Sequence, residues 1–408
     1  MNTDTTPSGR ATTPARPALG ARLVSLVGPL VVVYVWILGA SLLGGALPVQ
    51  AGYALVNLVI VVGLQIFVGN SGVLSFGHVA FVAVGAWIFG LMVIDPVLKA
   101  NLLADAFPAL VDTQLSFGAA VALAVAGGGL FAAIVAPFLM RANGLQAGIA
   151  TFALLLMVGQ VLTYWTKVAP PSGQSMVGIP DQIGLQQLLF FAIAAIVVSW
   201  LYQQTRSARL LRASRESLIA APASGVNVTW HRIVAFVLSG AVAGLGGALW
   251  AETNRVVQAS QLGIGFTFAL IAMLVLGGRQ SMWGAVVGTM VYSVLDSALQ
   301  VFQGGVTLGP VIVSIPEGAR LIVLGAVLVL MLLLRPEGIT GGREFALPRP
   351  VDLLARRRFF SSGPVARTRG AVAEQAPVPA GASTGGPAPS GGAAPAGAPT
   401  PRTDDVSA

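Results

Sequence analysis

The chain has no cysteine and two histidines, His78 and His231, and only 9% of its 408 residues carry charge. Without cysteine there is no disulfide framework, no thiolate metal site and no cysteine nucleophile. Two histidines so far apart in the chain do not suggest a histidine-based metal centre. A soluble domain carries about 25% charged residues. The scarcity here, with a mean hydropathy of +0.82, points to a chain that crosses a membrane many times. The local signatures of catalysis are missing too. There is no phosphate-cradling glycine loop with its lysine, no Gly-x-Ser-x-Gly elbow, and no carboxylates at metal-ligand spacing. If nucleotide energy drives this protein, another subunit must supply it.

What the chain does have is apolar runs. They fall at 23–47, 51–69, 73–94, 115–138, 145–165, 184–203, 233–252, 264–279, 282–302 and 318–334. A span needs about 20 apolar residues, so 264–279 is short and the count is about ten. The expected fold is all-α, a polytopic transmembrane helical bundle with a broken helix near 69–72. Residues 1–21 contain no apolar h-region, so no cleavable signal peptide is expected and the segment reads as a disordered cytoplasmic N-terminus. The transmembrane domain runs over 22–340. From 341 to 408 the composition turns to Pro, Ala and Gly, which cannot bury enough apolar area to offset the entropy of ordering. A disordered cytoplasmic tail is expected there.

The net charge of +8 is a matter of topology rather than of nucleic-acid binding. Nineteen of the 23 basic residues fall in five segments that alternate with poorly charged ones. Those segments hold Arg10, Arg16 and Arg22; Arg141; Arg206, Arg209, Arg212, Arg215 and Arg232; Arg279; and the arginines from Arg335 onward. Lys99, Lys167 and Arg255 fall on the opposite side. The positive-inside bias puts both termini and the 204–232 loop in the cytoplasm. The 50 glycines suit a bundle in lipid, where small residues let backbones approach, as in "GAVAGLGGAL" (240–249) and "AVAGGGL" (124–130).

Three polar features interrupt this pattern. In "GLQIFVGNSGVLSFGHVAFVAVGAW" (63–87), two apolar runs meet at Gly69-Asn70-Ser71-Gly72, a helix-breaking sequence without charge. If the break is submerged, Gln65, Asn70, Ser71, Gly72 and His78 line a solute path. The alternative is a tight turn at the cytoplasmic surface with His78 hydrogen-bonded in the interior. Asp296 lies within a span. It reads either as the proton or sodium carrier of a secondary transporter, or as an acid that sits neutral or faces a watery cavity near the outer end. Glu317 and Arg320, at i,i+3 spacing, suggest a local ion pair. In the 204–232 loop, Ser214 is placed to cap a short helix with Glu216 in its first turn, and "SLIAA" (217–221) offers a small apolar surface. Pro222 and Gly225 end that helix. It suits insertion into a partner's groove, or else it is a plain amphipathic surface loop.

Four blocks of the sequence resemble one family. "RESLIAAPASGVNVTWHRIVAFVLSGAVAGLGGAL" (215–249), "GNSGVLSFGHVAFVAVGAW" (69–87), "LVLGGRQSMWGAVVGT" (274–289) and "LLLRPEGI" (332–339) are similar to segments of LivM-type permease subunits of bacterial ABC importers for branched-chain amino acids. In that family an "EAA" loop ending in glycine docks into the ATPase. Here Leu218 stands where the family has its glutamate, Pro222 where a charge often follows, and Gln280 where a glycine is usual. Glu216 lies off the glutamate's position and takes no role.

The resemblance implies a permease domain at 22–340 in a bacterial plasma membrane, with coupling through Leu218, Ile219, Ala220, Ala221 and Gly225. It implies a sister permease resembling LivH, two ABC ATPase subunits that bind the ATP, an extracytoplasmic solute-binding protein and membrane lipid as partners. No cofactor, catalytic residue, metal or nucleic acid belongs to this chain. Transport would proceed by ATP-driven alternating access. The solute it implies is leucine, isoleucine or valine, with urea or short-chain amides as the alternative. An ion-coupled secondary transporter using Asp296 is the reading of another class.

Overall fold

The structure is a computed structural model that describes residues 19–344, except 104, 171–173, 217–219, 304–305, 309–310, 314–315, 317, 336 and 343. Leu218, Ile219 and Glu317 therefore lie outside the described residues, as do 1–18 and the tail beyond 344. The chain divides into two compact units, Met1–Leu347 and Pro348–Ala408, and everything below concerns the first.

The described elements are almost entirely helical. In chain order they are α1 (Leu19–Leu43), α2 (Leu47–Ser71), α3 (His78–Val93), α4 (Pro96–Leu102), α5 (Pro108–Asp112), α6 (Phe117–Leu139), α7 (Gly144–Tyr164), α8 (Leu185–Gln204), α9 (Arg206–Glu216), α10 (Ala220–Ala223), α11 (Val228–Asn254), α12 (Ile264–Gly277), α13 (Met282–Gln303) and α14 (Ala319–Leu334). Two small antiparallel ladders join loops: β1 (Met176–Val177) pairs with β2 (Val256–Val257), and β3 (Val306–Leu308) with β4 (Val311–Val313). Among the described residues, seven helices are long and apolar enough to cross a membrane, and three shorter apolar ones lie at 78–93, 264–277 and 322–331. Together they occupy the stretches read from the apolar runs, so the chain is a polytopic helical membrane protein.

At the centre stand α2 and α11. From Leu55 to Ser71, α2 is buried at every residue but Asn57. A helix that is hydrophobic all round belongs inside a bundle. Against it and against α3 and α6 packs α11, through the small residues noted in the sequence. A Cβ on Gly244 would stand 2.4 Å from the Ala124 carbonyl oxygen, closer than any side chain can come. The "GAVAGLGGAL" and "AVAGGGL" stretches are thus the two sides of one helix contact, in which absent side chains bring the backbones together.

The loop between α3 and α6 is closed by a lysine. Lys99, read from the sequence as a loop charge, is fully buried, and its Nζ donates to the carbonyls of Leu91 and Leu110 at 3.0 Å and to that of Thr113. One ammonium thereby satisfies an acceptor in the last turn of α3 and two in and after α5. A buried charge is tolerable only when its donors are all used.

Candidate functional site

The helix break falls later than expected. Gly69, Asn70 and Ser71 remain in α2, whose end is set by Gly72 at φ 74°, with its N–H on the Val68 carbonyl. That left-handed conformation is easily reached only without a Cβ. Residues 72–77 then run without helix back along the bundle. His78, the first residue of α3, places Nε2 3.1 Å from the Ile60 carbonyl and Nδ1 3.3 Å from Ser239 Oγ. Ile60 lies about 16 Å up α2 from Ser71 at 1.5 Å per residue. The break therefore enters the bundle. Its amides find partners there, Phe76 N–H donating to Thr151 Oγ1 at 3.1 Å.

The residues proposed for a path at this break do not converge on one cavity. Gln65 Oε1 accepts from Ser199 on α8 at 3.1 Å. His78 is held between α2 and α11. Asn70 donates back to Ile66 O at 2.8 Å, and Ser71 Oγ accepts from Val73 N–H at 3.2 Å, both within the same turn of chain. Gln65, Asn70, Ser71 and His78 are buried.

The arginine-rich segment is not the loop the sequence suggested. Residues 206–216 form α9, because Ala208, Leu211 and Ser214 recur at helical spacing and bury against the bundle. Ser214 is no N-cap; it sits inside α9 and donates to the Leu211 carbonyl at 2.7 Å. Arg212 donates to Gln203 O at 2.9 Å, and Arg215 to Gly69 O at 2.5 Å. The expected docking helix falls partly on the undescribed residues 217–219; beyond them Ala220–Ala223 are helical (α10), include Pro222 and are followed by Gly225 at φ 78°. Pro222, Ala223, Ser224 and Gly225 are exposed and Ala221 is half-buried. The side chain of Ala220 is not among those described.

Two further blocks noted separately in the sequence meet at the same end of the bundle. Ile339 and Thr340 N–H donate to the carbonyls of Leu276 and Gly277 at 2.9 and 3.1 Å, so "RPEGIT" lies along the turn after α12. Glu344 then caps α13, accepting from Met282 N–H at 2.8 Å and Trp283 N–H at 3.3 Å. Burial raises its carboxyl above the ordinary value, against the opposing pull of those amides and of Arg212.

At the opposite end a polar cavity of about 640 Å³ opens among α2, α11, α12, α13 and α14. Asp296 lies in it. Arg320 reaches it from α14: its Nε and Nη2 donate to Asp296 Oδ1 and Oδ2 at 2.5 and 2.6 Å. The two bonds form a fork joining α13 to α14, and the local pair expected with Glu317 lies outside the described residues. Of the two readings of Asp296, the geometry matches the acid that faces a cavity. The sequence missed this pairing because 24 residues separate the partners.

A multi-pass helical bundle with a broken central helix and a polar end cavity is the architecture of a membrane permease. The chain belongs to the family of branched-chain amino acid transport system permease components, whose match covers residues 49–332. Members are permease components rather than catalysts, and they bring no cofactor of their own. The chain is 24% identical to the high-affinity branched-chain amino acid transport system permease protein LivM of Escherichia coli over 331 residues, covering 71% of this chain and 68% of LivM. It is 28% identical over 158 residues to the autoinducer 2 import system permease protein LsrC of Salmonella paratyphi B, covering 38% of this chain and 45% of LsrC. The D-allose transport system permease protein AlsC of Escherichia coli is 29% identical over 136 residues, with coverage of 32% and 40%. The chain thus spans less than half the length of LsrC and AlsC.

Proposed function

We propose that the chain is a permease subunit of an ATP-binding-cassette importer for branched-chain amino acids, with 22–340 as its permease domain. The observation that carries the reading is the similarity to LivM, which runs along 71% of the chain where that to LsrC covers 38%. The positive-inside bias puts the end bearing Arg215 and Arg279 in the cytoplasm. On that orientation the ATPases dock on the segment of Leu218, Ile219, Ala220, Ala221 and Gly225, of which α10 is part of the described portion. The polar cavity opens outward, where a solute-binding protein would deliver. A LivH-like sister permease completes the channel, and ATP-driven movement of α10 reaches the bundle through α9. The break at 72–77, with Gln65 and His78 flanking it, is the part of the path that changes shape. Asp296 is paired with Arg320, and the requirement for ATP, rather than this acid, separates the importer from an ion-coupled carrier.

The test is reconstitution of this chain with its sister permease, ATPases and binding protein in proteoliposomes. Leucine uptake should require ATP, and Ala221→Arg should abolish both uptake and ATPase co-purification while the protein stays inserted. Uptake driven by an ion gradient without ATP, or normal co-purification of Ala221→Arg, sinks the reading.

A further inference from the structure

We propose that the Asp296–Arg320 pair is a zwitterion-binding site in the outer cavity, where an amino acid's carboxylate takes Arg320 and its ammonium takes Asp296. The inference rests on the amino-acid importer reading above and adds a recognition step within the permease itself.

The pair is made for exchange. Arg320 holds Asp296 through its planar fork, the geometry that equally matches an α-carboxylate. The two side chains remain 31% and 22% exposed, so both are reached from the cavity. An ion pair in contact with water is held only weakly. A zwitterion that opens it replaces one salt bridge by two, and no charge is left unpaired. A neutral solute would have to break the pair without compensation.

The surroundings match the rest of such a ligand. The cavity of about 640 Å³ lies within the usual range of small-molecule sites, ~300–1,000 Å³. Val56, Trp250 and Phe266 give it an apolar wall for a branched side chain.

The experiment measures radiolabelled leucine binding to the purified importer assembly without its binding protein. Competition uses leucinamide, which lacks the carboxylate, and 4-methylpentanoate, which lacks the ammonium. Each should need at least roughly tenfold more than leucine to displace the label, the loss of one charge-assisted contact. Asp296→Asn should bring 4-methylpentanoate level with leucine, and Arg320→Gln should do the same for leucinamide. A pair that merely braced α13 against α14 would leave these ratios unmoved. Should a variant fail to assemble, the wild-type ratios decide alone. ATP-driven leucine import without saturable leucine binding, or with equal potency for all three compounds, overturns this inference and leaves the importer reading standing. An assembly that imports some other solute and no leucine overturns both.

Discussion

The guanidinium of Arg215 donates to the carbonyl oxygen of Gly69 at 2.5 Å, tying α9 to the last turn of α2 where the helix breaks. The last carbonyls of a helix have no partner within it and carry the negative end of its dipole, so a cation there is doubly favoured. The stem of Arg215 also lies against Gly72, where a Cβ would come within 3.1 Å of it. The contact ties α9, the helix that precedes the exposed turn in the chain, to the backbone that enters the bundle at 72–77.

Arg215→Ala should therefore uncouple the two. A hydrogen bond from a charged group contributes about 1.5–3 kcal/mol, so leucine uptake is expected to fall by roughly tenfold or more. Membrane insertion should persist, because the apolar spans are untouched. Uptake in proteoliposomes at matched protein level reads this, and an undiminished rate would refute the link.

Lys99→Met keeps the stem and removes the ammonium, leaving the carbonyls of Leu91, Leu110 and Thr113 without their donor. Buried acceptors left unpaired cost about 1–3 kcal/mol each, with partial relief from any water that enters. Thermal unfolding in detergent should show a clearly lowered midpoint. Replacement of the exposed Lys167 serves as the control that leaves it unchanged.

Gly244→Val places side-chain carbons against the Ala124 carbonyl, which a Cβ would already meet at 2.4 Å. Overpacking costs about 1–3 kcal/mol where neighbours can yield. Here the neighbour is backbone, so the yield of monodisperse protein on gel filtration should collapse. Gly159→Ala, with open space at its Cβ, should be tolerated.

Glu344 gives a pH dependence with a defined sign. Its carboxyl is raised in the folded protein, so between the ordinary carboxylate value and the raised one the folded state binds more protons than the unfolded state. Stability is then greatest at low pH and falls as pH rises through that window. Glu344→Gln cannot ionise and should lack this slope. Melting temperatures of both proteins across the acid range test it, and parallel curves would contradict the burial of the carboxyl.

Much of the bundle was legible because the relevant signals are local. A run of apolar residues long enough to cross hydrocarbon announces a span wherever it packs, and small residues announce close approach. The break was announced as well, but displaced: Gly69-Asn70-Ser71 reads as a helix stop, yet Arg215 gives the otherwise donorless Gly69 carbonyl a hydrogen bond and the helix continues to Ser71, capped by Gly72. Ser214 read as a cap because serine caps helices, and was misread because the face it shares with Ala208 and Leu211 packs on the bundle.

Lys99, Arg320 and Glu344 carry the contrast furthest. From the chain, each is one charge in or beside a loop. Whether a charge is solvated, paired or spent on backbone carbonyls depends on partners 8 to 62 residues away, and no local pattern encodes those distances. The sequence by itself determined that the protein crosses a membrane, about how often, and where its small residues permit contact, because partition into hydrocarbon is a sum over neighbouring residues. Only the tertiary structure decided which helices meet, that Asp296 pairs with Arg320 at the edge of a cavity, and that the arginine segment grips the broken helix. Those facts depend on geometry between elements, where a hydrogen bond is made or lost within an ångström.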